Sequence, residues 1–323
     1  MSRKRGGVVA LSGGIGGAKL ALGLYRILPR GDLIVVANTG DDFTHLGLEI
    51  SPDLDTLLYT LAGLDNPKTG WGRAAETWSF MAALEGLGGE TWFRLGDRDL
   101  AIHVERTRRL HAGESLCAVT AHFCRRLGIS ARLLPMSDDP VRTRLLTAEG
   151  WLDFQDYFVR REAQPAVREI VYCGAAKARP QPQFLDALSD PDLRAVVVCP
   201  SNPFLSIDPI LALPGVRDAI REARAPVVAV SPIVGKRALK GPTAKLLAEL
   251  GFEVSARAVA RHYAGLVSHF VADESDADGA FGLDLPVTFG PTVMTTIGDR
   301  EALARLVLAV AEACPVPRHG GGR

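Results

Sequence analysis

Residues 8–19 read Val8-Val9-Ala10-Leu11-Ser12-Gly13-Gly14-Ile15-Gly16-Gly17-Ala18-Lys19. An unbroken apolar run ends at a serine, glycines crowd the next positions, and a helical pattern follows. Continuous apolarity, rather than alternation, predicts a strand covered on both faces, which is the habit of parallel sheets wrapped by helices. Three further stretches repeat the design. Residues 33–37 run into Asn38-Thr39-Gly40-Asp41-Asp42, residues 195–199 into Pro200-Ser201-Asn202-Pro203, and residues 227–230 into Ser231-Pro232-Ile233-Val234-Gly235. Four such units predict an α/β fold, a Rossmann-like, mostly parallel, doubly wound sheet. Ligands of such sheets bind outside the carboxyl ends of the strands, where these polar turns converge.

The intervening helices are legible too. Ser51-Pro52 has the form of a helix start, and Leu54, Leu57, Leu58 and Leu61 repeat at helical spacing. Asp299 is placed to cap a last helix whose buried stripe is Leu303, Leu306, Val307 and Val310. Residues 137–179 lack a strong helical pattern and read as an inserted small subdomain. The core then comprises residues 1–136 and 180–314, and 315–323 is a frayed tail.

The chain has 323 residues, about twice the usual ~150 of one domain. With 47% hydrophobic and 23% charged residues it has the composition of a soluble globular protein. Thirty-seven basic residues balance thirty-seven acidic ones, which argues against nucleic acid or an anionic membrane as partner and leaves room for a local basic pocket. Five scattered cysteines without a Cys-x-x-Cys pair suggest neither a disulfide framework nor a zinc site, so a cytoplasmic location is expected. No apolar run approaches the ~20 residues of a membrane span.

The chemistry-bearing residues fall in the turns. Gly13, Gly14, Gly16 and Gly17 let backbone amides converge on an anion at a helix N-terminus, and Lys19 one turn later favours phosphate. A turn that merely packs helix against strand is the competing reading. The loop is neither a Walker A motif nor a complete dinucleotide fingerprint, and Asn38 stands where such a fold usually places an acid. Asp41-Asp42, with Asp53 and Asp55 of Ser51-Pro52-Asp53-Leu54-Asp55-Thr56, suit a hard cation such as Mg²⁺ beside phosphate. Helix-dipole and turn preferences would supply the same acids. At 100° per residue Asp53 and Asp55 project to different sides of their helix. Arg94-Leu95-Gly96-Asp97-Arg98-Asp99, after an expected strand, could clamp an anion or be a charged loop in which Asp99 caps the next helix. Ser201, Asn202 and Ser231 offer short donors and acceptors to a base, ribose or phosphate. Trp71, Trp78 and Trp92 line either an aromatic pocket or core. His103, His111, His262 and His269 lack metal-site spacing, and Cys117 and Cys124 read as packing residues.

In order along the chain, Gly-Gly-x-Gly-Gly-Ala-Lys, Asn-Thr-Gly-Asp-Asp, Ser-Pro-Asp-Leu-Asp-Thr, Gly-Trp-Gly, Leu-Gly-Asp-Arg-Asp, Leu-Pro-Met-Ser-Asp-Asp-Pro, Pro-Ser-Asn-Pro and Val-Ser-Pro-Ile resemble the 2-phospho-L-lactate transferase family. The resemblance runs from Val8 to about Thr295. It implies transfer of a phospho-hydroxyacid or phosphoenolpyruvyl group from a guanosine diphosphate conjugate (lactyl, enolpyruvyl or glyceryl) to the ribityl hydroxyl of the deazaflavin Fo. GMP is released and coenzyme F-420 is the eventual product. It further implies Mg²⁺ and a homodimer. By motif position, Asp55 and Arg94 would contact Fo, and Asp41 and Asp55 would act at the metal and in catalysis. The glycine loop, Lys19, Asn38, Ser201, Asn202 and Ser231 would hold the guanine nucleotide, with Asp53, Asp97 and Arg98 in support. Two rivals are a non-catalytic nucleotide-sugar-binding regulator of the YvcK type and a nicotinamide oxidoreductase. The first resembles the chain at the glycine loop alone, and the broken fingerprint disfavours the second.

Overall fold

The computed structural model describes residues 6–235, 237–238, 241–277, 282 and 284–314; the expected frayed tail at 315–323 lies outside the described residues. Strand β1 (Val8–Ser12) leads through α1 (Gly14–Ile27) to β2 (Leu33–Ala37). A hairpin of β3 (Phe43–His45) and β4 (Leu48–Ile50) precedes α2 (Pro52–Ala62), α3 (Ser79–Gly86), α4 (Asp97–His111) and α5 (Leu116–Arg126). After β5 (Arg132–Pro135) come β6 (Arg142–Thr147), β7 (Gly150–Asp153) and β8 (Glu169–Cys173), then α6 (Pro182–Ser189) and β9 (Ala195–Val198). A π-helical turn (Pro203–Ile207), α7 (Asp208–Leu211) and α8 (Val216–Glu222) lead to β10 (Val227–Val230) and the small pair β11 (Ile233–Val234) and β12 (Arg237–Ala238). The chain closes with α9 (Thr243–Glu249), α10 (Ala256–His262), β13 (His269–Asp273), β14 (Val287–Gly290) and α11 (Ile297–Ala313).

Seven strands form one parallel sheet in the order β5-β2-β1-β9-β10-β13-β14. The order grows outward from β1 in both directions, the doubly wound arrangement, and the switch point lies between β1 and β9. Alternate residues of the central strands feed two separate cores. Val9, Leu11, Ile34, Val36 and Val196 pack on one face, Val8, Ala10, Val35 and Val197 on the other. This two-sided burial is what the continuous apolar runs require.

Residues 142–173 carry a three-stranded antiparallel sheet, β7-β6-β8. Leu145, Leu152, Phe154 and Tyr157 from this region join the first core, so it is packed on the main sheet and not suspended from it. It also grips the turn after β2: Thr143 N donates to Gly40 O at 2.8 Å and Gln155 Nε2 to Asp41 O at 3.2 Å.

Three local expectations change. Residues 91–94 form no strand; Trp92 and Phe93 instead pack edge-on against Phe43 and His45. The last helix is capped by Thr296, with Asp299 closing a reciprocal capping box from the third helical position. Helix α4 is not capped by Asp99; the Glu76 carboxylate accepts the amides of Arg98 and Asp99 at 2.8 and 2.9 Å.

Candidate functional site

The carboxyl ends of β1, β2 and β9 meet at the switch point, and the predicted turns meet with them. Ser201 Oγ donates to Gly13 O at 2.8 Å and accepts from Gly13 N at 3.2 Å, tying the β9 turn to the glycine loop. Glycine is required here by close approach. A Cβ on Gly13 would stand 2.6 Å from the Ser206 Cβ, and one on Gly16 would stand 2.4 Å from Pro200 O. Tight packing of α1 against the β9 turn is therefore built into the loop, whatever else it binds. The Gly14 amide, first of the helix, donates to Asp53 Oδ1 at 2.6 Å.

Asp53 belongs to α2, which starts where the sequence places it because Pro52 needs no amide partner in a first turn. Its second oxygen accepts from Asn38 Nδ2 at 3.0 Å; Asn38 also donates to Leu205 O at 3.1 Å and accepts from Gly40 N at 2.8 Å. Asn38 thus links three turns, and its polar atoms are committed to them. Asp41 faces this cluster. Burial, reinforced by the neighbouring Asp53 charge, raises its carboxyl well above the usual range, while burial lifts Asp53 to about 6. The next residue faces elsewhere. Asp42 Oδ2 accepts from Ser51 Oγ at 2.8 Å, and burial raises this carboxyl to about 8.

Asp41 Oδ1 and Asp42 Oδ1 are buried and have no hydrogen-bond partner among the described residues. Orphaned buried carboxylate oxygens are costly, and in a native protein they call for an explanation such as an ion. No group of three or more His, Cys, Asp or Glu side chains stands ready to hold a metal among the described residues. Mg²⁺ commonly takes only one or two carboxylates and completes its shell with water and substrate phosphate, so this donor set fits it.

Asp55 sits on the other side of α2, as the 100° spacing predicted, and not with Asp41. Its two oxygens are held by both terminal nitrogens of Arg106, one of them at 3.0 Å, in a pair almost entirely buried. His103 Nδ1 lies 3.6 Å from Asp55, and its Nε2 lies 3.2 Å from Asp99, which also accepts from the Tyr59 hydroxyl. The sequence reading missed Arg106 and set His103 aside. Their spacing on α4 held the signal: residues 99, 103 and 106 share one helical face.

The Arg94 guanidinium stacks 4.2 Å above the Trp78 ring, in a hollow that Trp71, Arg73 and Asp99 also line. Asp97 caps α3, accepting the amides of Ser79 and Phe80 at 3.0 Å each, and Arg98 is exposed. Asn202 Oδ1 accepts from the amides of Phe204 and Leu205 at 3.0 Å, while its Nδ2 is buried without a partner among the described residues. Ser231 Oγ bonds within its own turn to Ile233, and Lys19 Nζ donates to Met294 O at 2.7 Å, toward the loop before α11.

Comparison with known proteins adds a decisive observation. Residues 8–281 match the family model described as 2-phospho-L-lactate transferase CofD. The chain belongs to the CofD family. It is 44% identical over 314 residues to a phosphoenolpyruvate transferase of Streptomyces griseus, covering 94% of this chain and 98% of that protein. To a 2-phospho-L-lactate transferase of Methanosarcina mazei it is 38% identical over 304 residues, covering 93% and 99%. A crystal structure of a upf0052 family member from Bacillus halodurans superposes with a TM-score of 0.62 at 16% identity, over 95% of this chain and 100% of that one, and shares the fold. Membership of the CofD family sets the chain among transferases. Among the described residues no helix is long and apolar enough to cross a membrane.

Proposed function

We propose that this chain transfers a phosphoenolpyruvyl or phospho-hydroxyacid group from a guanosine diphosphate conjugate to the terminal ribityl hydroxyl of the deazaflavin Fo, releasing GMP, in the synthesis of coenzyme F-420. The observation that carries the reading is the pair of buried, unpartnered oxygens of Asp41 and Asp42 in the turn that leaves β2, with Asp41 facing the Asp53 carboxylate that binds the first amide of α1. Family membership and the names of the relatives support the substrates. A homodimer in the cytoplasm belongs to the same reading.

The acceptor hydroxyl oxygen attacks the acid-bearing phosphorus, the bond to the bridging oxygen breaks, and GMP leaves with the electron pair. Such a reaction needs alignment and charge neutralisation above all. Mg²⁺, when bound, would neutralise the diphosphate oxygens, and Asp41 Oδ1 is the group that would hold it. The guanine nucleotide lies along the β1 and β9 turns, where Asn202 Nδ2 is an uncommitted buried donor. Asp42 Oδ1 takes the proton of the attacking hydroxyl. Arg94 and Trp71 offer faces on which a flat deazaflavin stacks. Asp55, committed to Arg106, acts by holding α2 against α4. Ser231 and Lys19, committed to their own loops, serve the nucleotide through the shape of those loops.

Incubation with Fo, the phosphoenolpyruvyl and phospholactyl conjugates of guanosine diphosphate and Mg²⁺, followed by mass analysis, tests the reading. GMP and a phospho-acylated deazaflavin in equal amounts are expected. Nucleotide release without a modified deazaflavin would overturn it.

A further inference from the structure

A cleft of about 180 Å³ opens on the far side of Asp42 from the nucleotide turns, between the 39–42 turn, β4, the α4–α5 connection and residues 137–142. Four acids besides Asp42 line it, and each has at least one oxygen engaged. Asp138 accepts the Cys117 amide at 2.7 Å, Asp139 pairs with Arg179 at 3.0 Å, Glu114 pairs with Arg109 at 3.0 Å, and Glu49 accepts from Thr44 Oγ1 at 3.1 Å. Among the described residues, Arg142 is the only cation that lines it. It is half-buried at the start of β6, and Nη1 donates to the adjacent Val141 O at 2.8 Å, which leaves most of a five-donor fork to the cleft. Two buried polar atoms lack partners here, Thr39 Oγ1 and Asp42 Oδ1, and Asp42 is only 8% exposed.

Size selects among the pieces of the reaction. Pockets that enclose drug-sized ligands run from roughly 300 Å³ upward, so this cleft does not enclose a whole tricyclic deazaflavin or guanosine. At about 30 Å³ per water, the cleft holds the equivalent of ~6 waters, which suits a three-carbon acid. A planar guanidinium matches a carboxylate through two parallel hydrogen bonds.

We infer that this cleft seats the carboxylate of the small acid carried on the transferred phosphate, and that Arg142 is the residue that selects it. The inference rests on the transferase reading and deepens it. The 38–42 turn becomes a partition, with nucleotide on the Asp41 side, acid on the Asp42 side and the reacting phosphate between.

The test uses phosphoenolpyruvate and its carboxyl methyl ester as probes, titrated calorimetrically into the whole protein with Mg²⁺. The unaltered protein should bind the acid at least about 10-fold tighter than the ester. Arg142→Gln should weaken the acid by about 10–100-fold, abolish that preference and leave GDP affinity unchanged, with Arg142→Lys between the two. Equal affinity for acid and ester in the unaltered protein, no binding of the acid, or undiminished binding by Arg142→Gln would each overturn the inference. The acid-to-ester comparison needs no variant and so survives a variant that fails to fold. Failure of the transferase reading is seen separately, as absence of product from Fo and the conjugate while the acid preference and its loss in Arg142→Gln persist.

Discussion

Replacing Arg106 by methionine would leave Asp55 buried without its counter-charge and remove a cation that also stabilises the Asp42 carboxylate. Breaking a buried ion pair from one side costs about 3–5 kcal/mol, because the stranded charge cannot reach water. Unfolding entropy of about 2.1 cal/mol/K per residue gives roughly 0.7 kcal/mol/K for this chain, so Tm should fall by about 4–7 °C. Asp55→Asn should be destabilised as well, since it leaves the guanidinium facing an amide. The double variant Arg106→Met with Asp55→Leu should recover most of the loss, since an apolar pair of similar volume is often as stable as the ion pair it replaces. Thermal melts of the three variants beside steady-state turnover separate two roles for Asp55. A strut between α2 and α4 predicts that activity returns with stability in the double variant. Direct contact with the acceptor, as motif position implies, predicts a stable and inactive double variant. An Arg106→Met protein melting within about 1 °C of the unaltered one would refute the energetic reasoning itself.

Exhaustive chelation should abolish turnover, and restored Mg²⁺ should return it; full activity in a chelator would exclude the divalent ion. Asp42→Asn should melt higher than the unaltered protein in cation-free buffer, since a neutral amide is cheaper to bury, and should turn over about 10²–10⁴-fold more slowly, checked by melts and single-turnover rates. Gly16→Ala should cost about 1–3 kcal/mol in denaturant unfolding and weaken GDP binding, because its Cβ would stand 2.4 Å from Pro200 O and push α1 off the β9 turn. Arg94→Ala should raise the KM for Fo with GDP affinity unchanged, and the reverse pattern would move Arg94 to the phosphate side.

The strands at the centre of the sheet were legible because both their faces are buried, which leaves β1, β2, β9 and β10 as unbroken apolar runs. The outer strands carry Arg132, His269, Asp273 and Thr288, which interrupt that signal. The strand expected before Arg94 failed for a related reason: aromatic residues that favour strands also pack well on a hairpin such as β3–β4, and here they do so. At the site, helical geometry alone separated Asp53 from Asp55. It could not say which of them faces a partner, because Arg106 is 51 residues from Asp55 in sequence. The inserted region's grip on the turn after β2, through Thr143 and Gln155, likewise depends on tertiary contacts that no local pattern encodes.

Consecutive acids in one turn usually share a solvated environment, yet Asp41 and Asp42 are both buried and look into different chambers. Holding two buried carboxylates, each with an oxygen that accepts no hydrogen bond, is expensive, and asparagine at both positions would preserve the turn at lower cost. A fold that keeps the acids instead is sacrificing stability at that turn, and such local violations of the folding rules concentrate at functional sites. The surrounding structure is arranged to sustain the cost. Asn38 braces the turn from within, β6 and Gln155 clamp its backbone from outside, and Arg106 moderates the charge of Asp42 from behind. Thr143, one jaw of that clamp, adjoins Arg142 on β6, so the residue proposed to read the acid is covalently tied to the backbone that braces the turn.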